Sequence, residues 1–79
     1  MAVVLYTSER CGLCDRAKEA LSRLGVAFEE IEVGDGHPYR LRTPVIERDG
    51  SVVAEGAVDH VSLARALGRE RPGSSPREG

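Results

Sequence analysis

Residues 3–24, VVLYTSERCGLCDRAKEALSRL, decide the fold of this 79-residue chain. Val3–Tyr6 is a short apolar run rich in β-branched residues, which predicts a strand buried on both faces. Apolar residues then recur at helical spacing, which predicts a helix that ends at Gly25. This apolar stripe comprises Leu13, Ala17, Ala20, Leu21 and Leu24. A further strand over Val26–Val33 would complete a right-handed parallel βαβ unit.

The second half of the chain has the pattern of a hairpin followed by a helix. Two apolar runs, 44–48 and 51–54, flank Asp49-Gly50. Asp-Gly between two apolar runs is the strongest short-range hairpin signal. Asp59 can then cap a last helix over Val61–Leu67, which Gly68 would close. The predicted order is therefore β-α-β-(short loop)-β-β-α.

Composition limits the chain to one small domain. Hydrophobic residues make up 41% and charged residues 30%, which is within the globular range. We expect a folded domain over residues 1–67 and a disordered tail over residues 68–79, since the sequence GRERPGSSPREG has too little apolar surface to offset its ordering entropy. The loop Gly34–Arg42 is expected to hold at most one irregular helical turn.

Charge and hydropathy exclude several classes of partner. A net charge of −2 argues against a general nucleic-acid binder or an anionic-membrane binder, both of which need a basic excess. No apolar run approaches the roughly 20 residues that span a bilayer. The start of the chain has no basic segment of the kind that opens a signal peptide. A cytoplasmic protein is therefore expected. The acidic run of Glu29, Glu30 and Glu32 is expected to form a solvated edge.

The two cysteines carry the chemistry that the sequence predicts. Cys11-Gly12-Leu13-Cys14 follows the first strand and opens the first helix. Unpaired N–H groups and the helix dipole stabilise a thiolate at that position, so the pKa of Cys11 should be lowered. Arg10 adds a cation beside it, whereas Glu9 and Asp15 act in the opposite direction. Cys14 lies one helical turn further on and faces inward, where it can attack a mixed disulfide formed on Cys11.

Two other roles for the cysteines stay open at this point. A disulfide across so short a loop would stabilise the fold by only about 2 kcal/mol before strain is subtracted. A zinc site within one chain lacks ligands, because His37 and His60 do not have zinc-finger spacing. An iron–sulfur cluster shared by two chains, with a thiolate from each, stays an open alternative.

Several segments together resemble a glutaredoxin of the thioredoxin-fold superfamily. They are Leu5-Tyr6-Thr7, Cys11-Gly12-Leu13-Cys14, Ala17–Leu24, Thr43-Pro44-Val45, Glu55-Gly56 and Asp59. The resemblance covers residues 2–67 and is closest to a compact bacterial glutaredoxin-like family with a C-x-x-C motif. It implies an α/β, thioredoxin-like three-layer fold with a four-stranded mixed sheet.

The resemblance also implies roles for individual residues. Cys11 is the expected nucleophile and Cys14 the expected resolving thiol. Substrate or glutathione is expected to bind at Arg10, Thr43, Pro44, Gly56 and Asp59. Pro44 matches a cis-proline that leaves the backbone of Thr43 free to pair with an extended substrate. Gly56 and Asp59 match the turn and helix start that hold the glutathione carboxylate.

The sequence departs from the glutaredoxin pattern at four places. Gly12-Leu13 replaces the usual Pro-Tyr or Pro-Phe, Ser8 replaces a lysine, and Gly56-Ala57 replaces a Gly-Gly pair. The helix between the second and third strands is almost gone. Each change removes a glutathione contact or its support, so dithiol chemistry is expected to be retained better than glutathione-dependent turnover.

The sequence therefore predicts a small, monomeric thiol–disulfide oxidoreductase. It would reduce protein or glutathione mixed disulfides, and glutathione or a reductase partner would reduce it in turn. Glutathione is the possible co-substrate, and no tightly bound cofactor, metal, nucleic acid or membrane is expected. The alternatives are an iron–sulfur or metal carrier that uses the same cysteines, and a redox-inactive adaptor on the same fold.

Overall fold

A computed structural model describes residues 2–68 of the chain. It contains six elements: β1 (Val3–Thr7), α1 (Gly12–Arg23), β2 (Glu29–Glu32), β3 (Val45–Arg48), β4 (Ser51–Glu55) and α2 (His60–Ala66). The order of elements is the predicted one. Beyond Gly68, the expected disordered tail lies outside the described residues.

The four strands form one mixed sheet in the order β2-β1-β3-β4. β1 pairs in parallel with β2, which confirms the predicted βαβ unit. β1 also pairs with β3, and β3 with β4, both antiparallel. The α/β fold class and the four-stranded mixed sheet are confirmed.

The turn between β3 and β4 follows from two residues. Asp49 and Gly50 have φ values of 53° and 88°, both in the left-handed region. A two-residue hairpin loop with positive φ at both positions is the type I′ turn that Asp-Gly favours. The Asp49 side chain also accepts a hydrogen bond from the backbone N–H of Ala2 at 2.8 Å. The turn therefore holds the start of β1 as well as the hairpin.

Both helices pack against one face of the sheet. Their buried residues join those of the strands in one core cluster, which comprises Val3, Leu5, Ala17, Ala20, Leu21, Val26, Ile46, Leu63 and Leu67. The opposite face is covered by the loop between β2 and β3, where the Tyr39 ring lies edge-on to Tyr6 at 5.0 Å. A loop thus takes the place of a helix layer.

Three local expectations differ from the structure. β1 is fully buried only on its helix side, with Val4 and Tyr6 half-buried, because a loop covers less area than a helix would. Leu13 is 40% exposed, since Cys14 takes the inward position in the first turn of α1. β2 is shorter than predicted, and Val26 enters the core from the loop before it.

The N-terminus of α2 carries a complete capping box. The Asp59 side chain accepts a hydrogen bond from the backbone N–H of Ser62 at 2.7 Å. The Ser62 hydroxyl in turn accepts from the backbone N–H of Asp59 at 3.2 Å. The bond from Ser62 holds the pKa of Asp59 below its usual value. The predicted cap is confirmed, and it favours the ionised carboxylate.

This cap should make stability depend on pH at the acid end. The contribution of Asp59 is present above its unfolded-state pKa of about 3.9 and is lost as the pH falls through the lower folded-state value. Asp59→Asn should keep the cap without the titration, whereas Asp59→Ala should lower the urea midpoint at neutral pH. Urea unfolding against pH measures both effects. The same acid dependence in wild type and Asp59→Asn would contradict the assignment.

Candidate functional site

The cysteine pair lies where β1 leads into α1. Cys11 is the N-cap of α1, and its Sγ accepts a hydrogen bond from the backbone N–H of Cys14 at 3.1 Å. The two sulfurs form a disulfide, with 5.2 Å between the Cα atoms. Cys11 is half-buried, whereas Cys14 is only 2% exposed. An incoming sulfur can therefore reach Cys11, while Cys14 is shielded by the core.

The segment before β3 lies against Cys11. The carbonyl oxygen of Thr43 is 4.0 Å from the Cys11 Sγ. The Thr43–Pro44 peptide bond is cis, as the sequence predicted, and Pro44 is buried. Among residues 2–68, the backbone of Thr43 takes part in no backbone–backbone hydrogen bond. Within that range its N–H and C=O have no backbone partner, and the C=O lies beside the Cys11 sulfur.

Ser8 fixes Thr43 in this position. The two hydroxyl groups share a hydrogen bond of 2.6 Å, which joins the loop after β1 to the loop before β3. The Thr43 hydroxyl is also 3.4 Å from the carbonyl oxygen of Arg40, to which it can donate. The sequence singled out Ser8 only as a replacement for a lysine. A contact between residues 35 positions apart leaves no local signal in the sequence.

A cavity of about 350 Å³ opens beside the disulfide. Besides both cysteines, its lining includes six charged residues: Glu9, Arg10, Asp15, Lys18, Glu30 and Glu32. The Lys18 ammonium lies 3.4 Å from the Glu30 carboxylate and 3.7 Å from that of Asp15. Thr7, which is buried, donates from its hydroxyl to Glu30 at 3.2 Å. The acidic edge strand therefore forms one wall of the cysteine cavity.

The predicted binding residues separate into two groups. Arg10 lines the cysteine cavity, and Gly56 donates its N–H to the Pro44 carbonyl at 2.9 Å. Asp59 instead lines a second cavity between α1 and α2, also of about 350 Å³, together with Arg16 and His60. Its carboxylate already accepts the Ser62 bond. The structure therefore does not bring Asp59 into the cavity of the cysteines.

A polar aromatic cluster occupies the other face of the sheet. The hydroxyls of Tyr6 and Tyr39 both donate to Glu47, at 3.3 and 2.8 Å. Burial raises the pKa of Tyr6, and the bond to Glu47 raises that of Tyr39. The His37 ring lies 5.9 Å from the Tyr6 ring and 5.3 Å from the Tyr39 ring, and the Arg42 guanidinium lies 5.2 Å from the Tyr39 ring centre. Tyr39 and His37 thus hold their own loop against β1 and β3, and neither lines the cysteine cavity.

Within residues 2–68, no group of three or more His, Cys, Asp or Glu side chains is arranged to hold a metal ion. No helix in this part of the chain is both long and apolar enough to cross a membrane.

Comparison with known proteins places the chain in a family. A model of the glutaredoxin family matches residues 3–51. The chain belongs to the glutaredoxin family. The matched segment begins at β1 and runs through the cysteine pair and the Thr43–Pro44 bond into the hairpin turn, so it covers the geometry that surrounds the Cys11 sulfur.

Relatives match this glutaredoxin-family chain over part of its length. It is 44% identical to glutaredoxin 3 of Escherichia coli K12 over 48 residues. This matched segment covers 61% of this chain and 55% of that protein. It is 47% identical to a glutaredoxin of Pseudomonas aeruginosa PAO1 over 49 residues. This matched segment covers 62% of this chain and 56% of that protein. The chain thus spans little more than half the length of these relatives.

A solved structure shares the fold over almost the whole chain. The X-ray structure of a structural genomics target protein from X. campestris superposes with a TM-score of 0.76 at 30% sequence identity. The match covers 89% of this chain and 100% of that one. The resemblance to the thioredoxin-fold glutaredoxins that the sequence carried is therefore confirmed.

Proposed function

We propose that this protein is a thiol–disulfide oxidoreductase in which Cys11 is the nucleophile and Cys14 the resolving thiol. One observation carries the proposal: the reachable Cys11 sulfur is bonded to a buried Cys14 sulfur at the start of α1. Membership of the glutaredoxin family supports the same reaction class.

The reaction consists of two sulfur exchanges. In the reduced protein, the Cys11 thiolate attacks one sulfur of a substrate disulfide, forms a mixed disulfide and expels the other substrate sulfur as a thiolate. The Cys14 thiolate then attacks the Cys11 sulfur, closes the internal disulfide and expels the second substrate thiolate. The protein dithiol loses two electrons and the substrate gains them. Two glutathione molecules or a reductase would return the electrons.

The backbone of Thr43 is the proposed anchor for the substrate. Its N–H and C=O, which have no backbone partner among residues 2–68, can pair with an extended chain on either side of the disulfide. Arg10 would contact the same substrate from the cavity wall. Pro44 and Gly56 hold the segment in place through the bond between them. A role for Asp59 in holding a glutathione carboxylate stays a prediction. The Asp59 carboxylate already caps α2 by accepting a hydrogen bond from the Ser62 N–H.

The Cys11 thiol is expected to titrate below the usual value of about 8.5. The Cys14 N–H already points at the Cys11 sulfur, and the start of α1 adds its dipole. We expect these two effects to outweigh the carboxylates that line the cavity and to favour the thiolate. The rate of alkylation by iodoacetamide against pH, in the single-thiol variant Cys14→Ser, gives the pKa directly. A midpoint at or above that of a free cysteine would contradict an activated thiol.

The decisive experiment uses the full chain, reduced and freed of reductant. The reduced protein should reduce bis(2-hydroxyethyl) disulfide faster than a small thiol at the same concentration does. An excess of glutathione, or an excess of thioredoxin reductase, should then sustain turnover. The reductant that gives the higher rate identifies the class of reductant. If neither the first turnover nor the sustained one exceeds the small-thiol rate, the oxidoreductase proposal fails. Anaerobic reconstitution that yields a coloured, sulfide-containing dimer would favour the iron–sulfur carrier instead.

A further inference from the structure

The cysteine cavity has a surplus of negative charge. Four carboxylates line it, from Glu9, Asp15, Glu30 and Glu32, against the two cationic groups of Arg10 and Lys18. We propose that this cavity selects disulfides flanked by positive charge, such as amine-bearing disulfides or cysteines beside lysine and arginine in a protein. The proposal rests on the oxidoreductase function above and names the substrate class of the same site.

The pairing within the cavity decides which carboxylates face the substrate. Lys18 lies within ion-pair distance of both Asp15 and Glu30, so one cation offsets part of two negative charges. Glu9 and Glu32 form no ion pair among the described residues. Both are exposed, and only the Arg10 guanidinium is left to balance them. A substrate that enters beside Cys11 therefore meets net negative charge.

The pairing of β2 with β1 places this charge on one side of the sheet. Glu32 is in register with Thr7, and Glu30 with Leu5, so both side chains lie on the α1 side, where the cavity is. Glu29 is in register with Val4, on the opposite face. Glu29 and Glu32, at the two ends of the same strand, therefore lie on opposite faces of the sheet.

The negative charge of the cavity affects the reaction rate because thiol–disulfide exchange itself carries negative charge. Thiolate attack carries one negative charge, spread over three sulfurs in the transition state. Nearby carboxylates raise the energy of that charge, and an anionic substrate adds to the repulsion. A cationic substrate offsets it. A single charge about 8 Å away in water changes a rate by roughly twofold to threefold, so several such charges can separate cationic from anionic substrates by about tenfold.

The test compares the reduced protein on three small disulfides. Cystamine carries two ammonium groups, bis(2-hydroxyethyl) disulfide is neutral, and 3,3′-dithiodipropionate carries two carboxylates. Each rate constant is divided by that of 2-mercaptoethanol with the same disulfide, which removes differences in leaving group. The expected cationic-to-anionic ratio is about ten at an ionic strength of about 0.01 M and approaches one at about 1 M, where the Debye length is only about 3 Å.

A matched pair of variants locates the effect. Glu32→Gln should lower the cationic-to-anionic ratio by about threefold, because it removes one cavity charge. Glu29→Gln, which makes the same change in the same strand on the opposite face, should leave the ratio nearly unchanged. Equal effects of the two substitutions, or a normalised ratio near one at low salt, would overturn charge selection. If the protein reduces none of the three disulfides, the neutral one included, faster than 2-mercaptoethanol does, the oxidoreductase function on which the proposal rests is overturned instead.

Discussion

Cys11→Ser is expected to abolish disulfide reduction, leaving only the rate of the buffer thiols. The Cys11 sulfur is the reachable one of the pair, and Cys14 is 2% exposed. A serine hydroxyl stays protonated at neutral pH and does not exchange with disulfides, so the first step has no nucleophile. The loss of activity is measured from the thiol that is released when bis(2-hydroxyethyl) disulfide is reduced.

Cys14→Ser is the matched control, since it makes the same atomic change at the other end of the motif. This variant should still carry out the first exchange but should accumulate the mixed disulfide on Cys11. Mass spectrometry of the intact protein would show the added substrate half. Full activity in Cys11→Ser, or an adduct on Cys14 in that variant, would reverse the proposed roles of the two cysteines.

Leu63→Ala should strongly destabilise the fold. Leu63 is the buried residue of α2, with no exposed surface, and it belongs to the same core cluster as Leu5 and Leu21. Truncation of a buried leucine to alanine costs about 2–5 kcal/mol, through lost transfer energy and the cavity left behind. Small domains have about 5–15 kcal/mol of stability at most. The urea midpoint should therefore fall steeply, or the protein should fail to fold.

Val61→Ala provides the comparison within the same helix. Val61 is 54% exposed, so its truncation should change the free energy of unfolding by no more than about 0.5 kcal/mol. Urea denaturation of both variants, with the slope checked against wild type, separates the buried position from the exposed one. Similar losses in the two variants would contradict the assignment of Leu63 as the residue whose packing holds α2.

The features that the sequence predicted correctly depend on local physics. The helix over Gly12–Arg23 follows from the period of its apolar residues, and Gly25 ends it with a φ of 71°. The hairpin follows from the backbone freedom of Asp49-Gly50, and the last helix from the Asp59 side chain. In each case a few adjacent residues decide the conformation. The cysteine pair was found for the same reason, because its four residues and the strand before them are contiguous.

The features that the sequence missed depend on contacts between distant segments. Leu13 was placed on the buried apolar stripe by its period, but it is 40% exposed, whereas Cys14 is buried as expected. The acidic run of β2 was expected to be a solvated edge. It is exposed as expected, yet Glu30 and Glu32 also line the cysteine cavity, since β2 lies parallel to β1.

The sequence alone determined the order of elements, the reactive pair and the resemblance to glutaredoxins, since each is carried by residues close together in the chain. The tertiary structure decided what surrounds the sulfur. Strand pairing brought Glu32 into the cavity that Cys11 lines, a hydroxyl contact joined Ser8 to Thr43, and Asp59 was placed at a separate cavity. Side-chain neighbours across a sheet depend on register and on which face each residue occupies, and neither is fixed until the strands have paired.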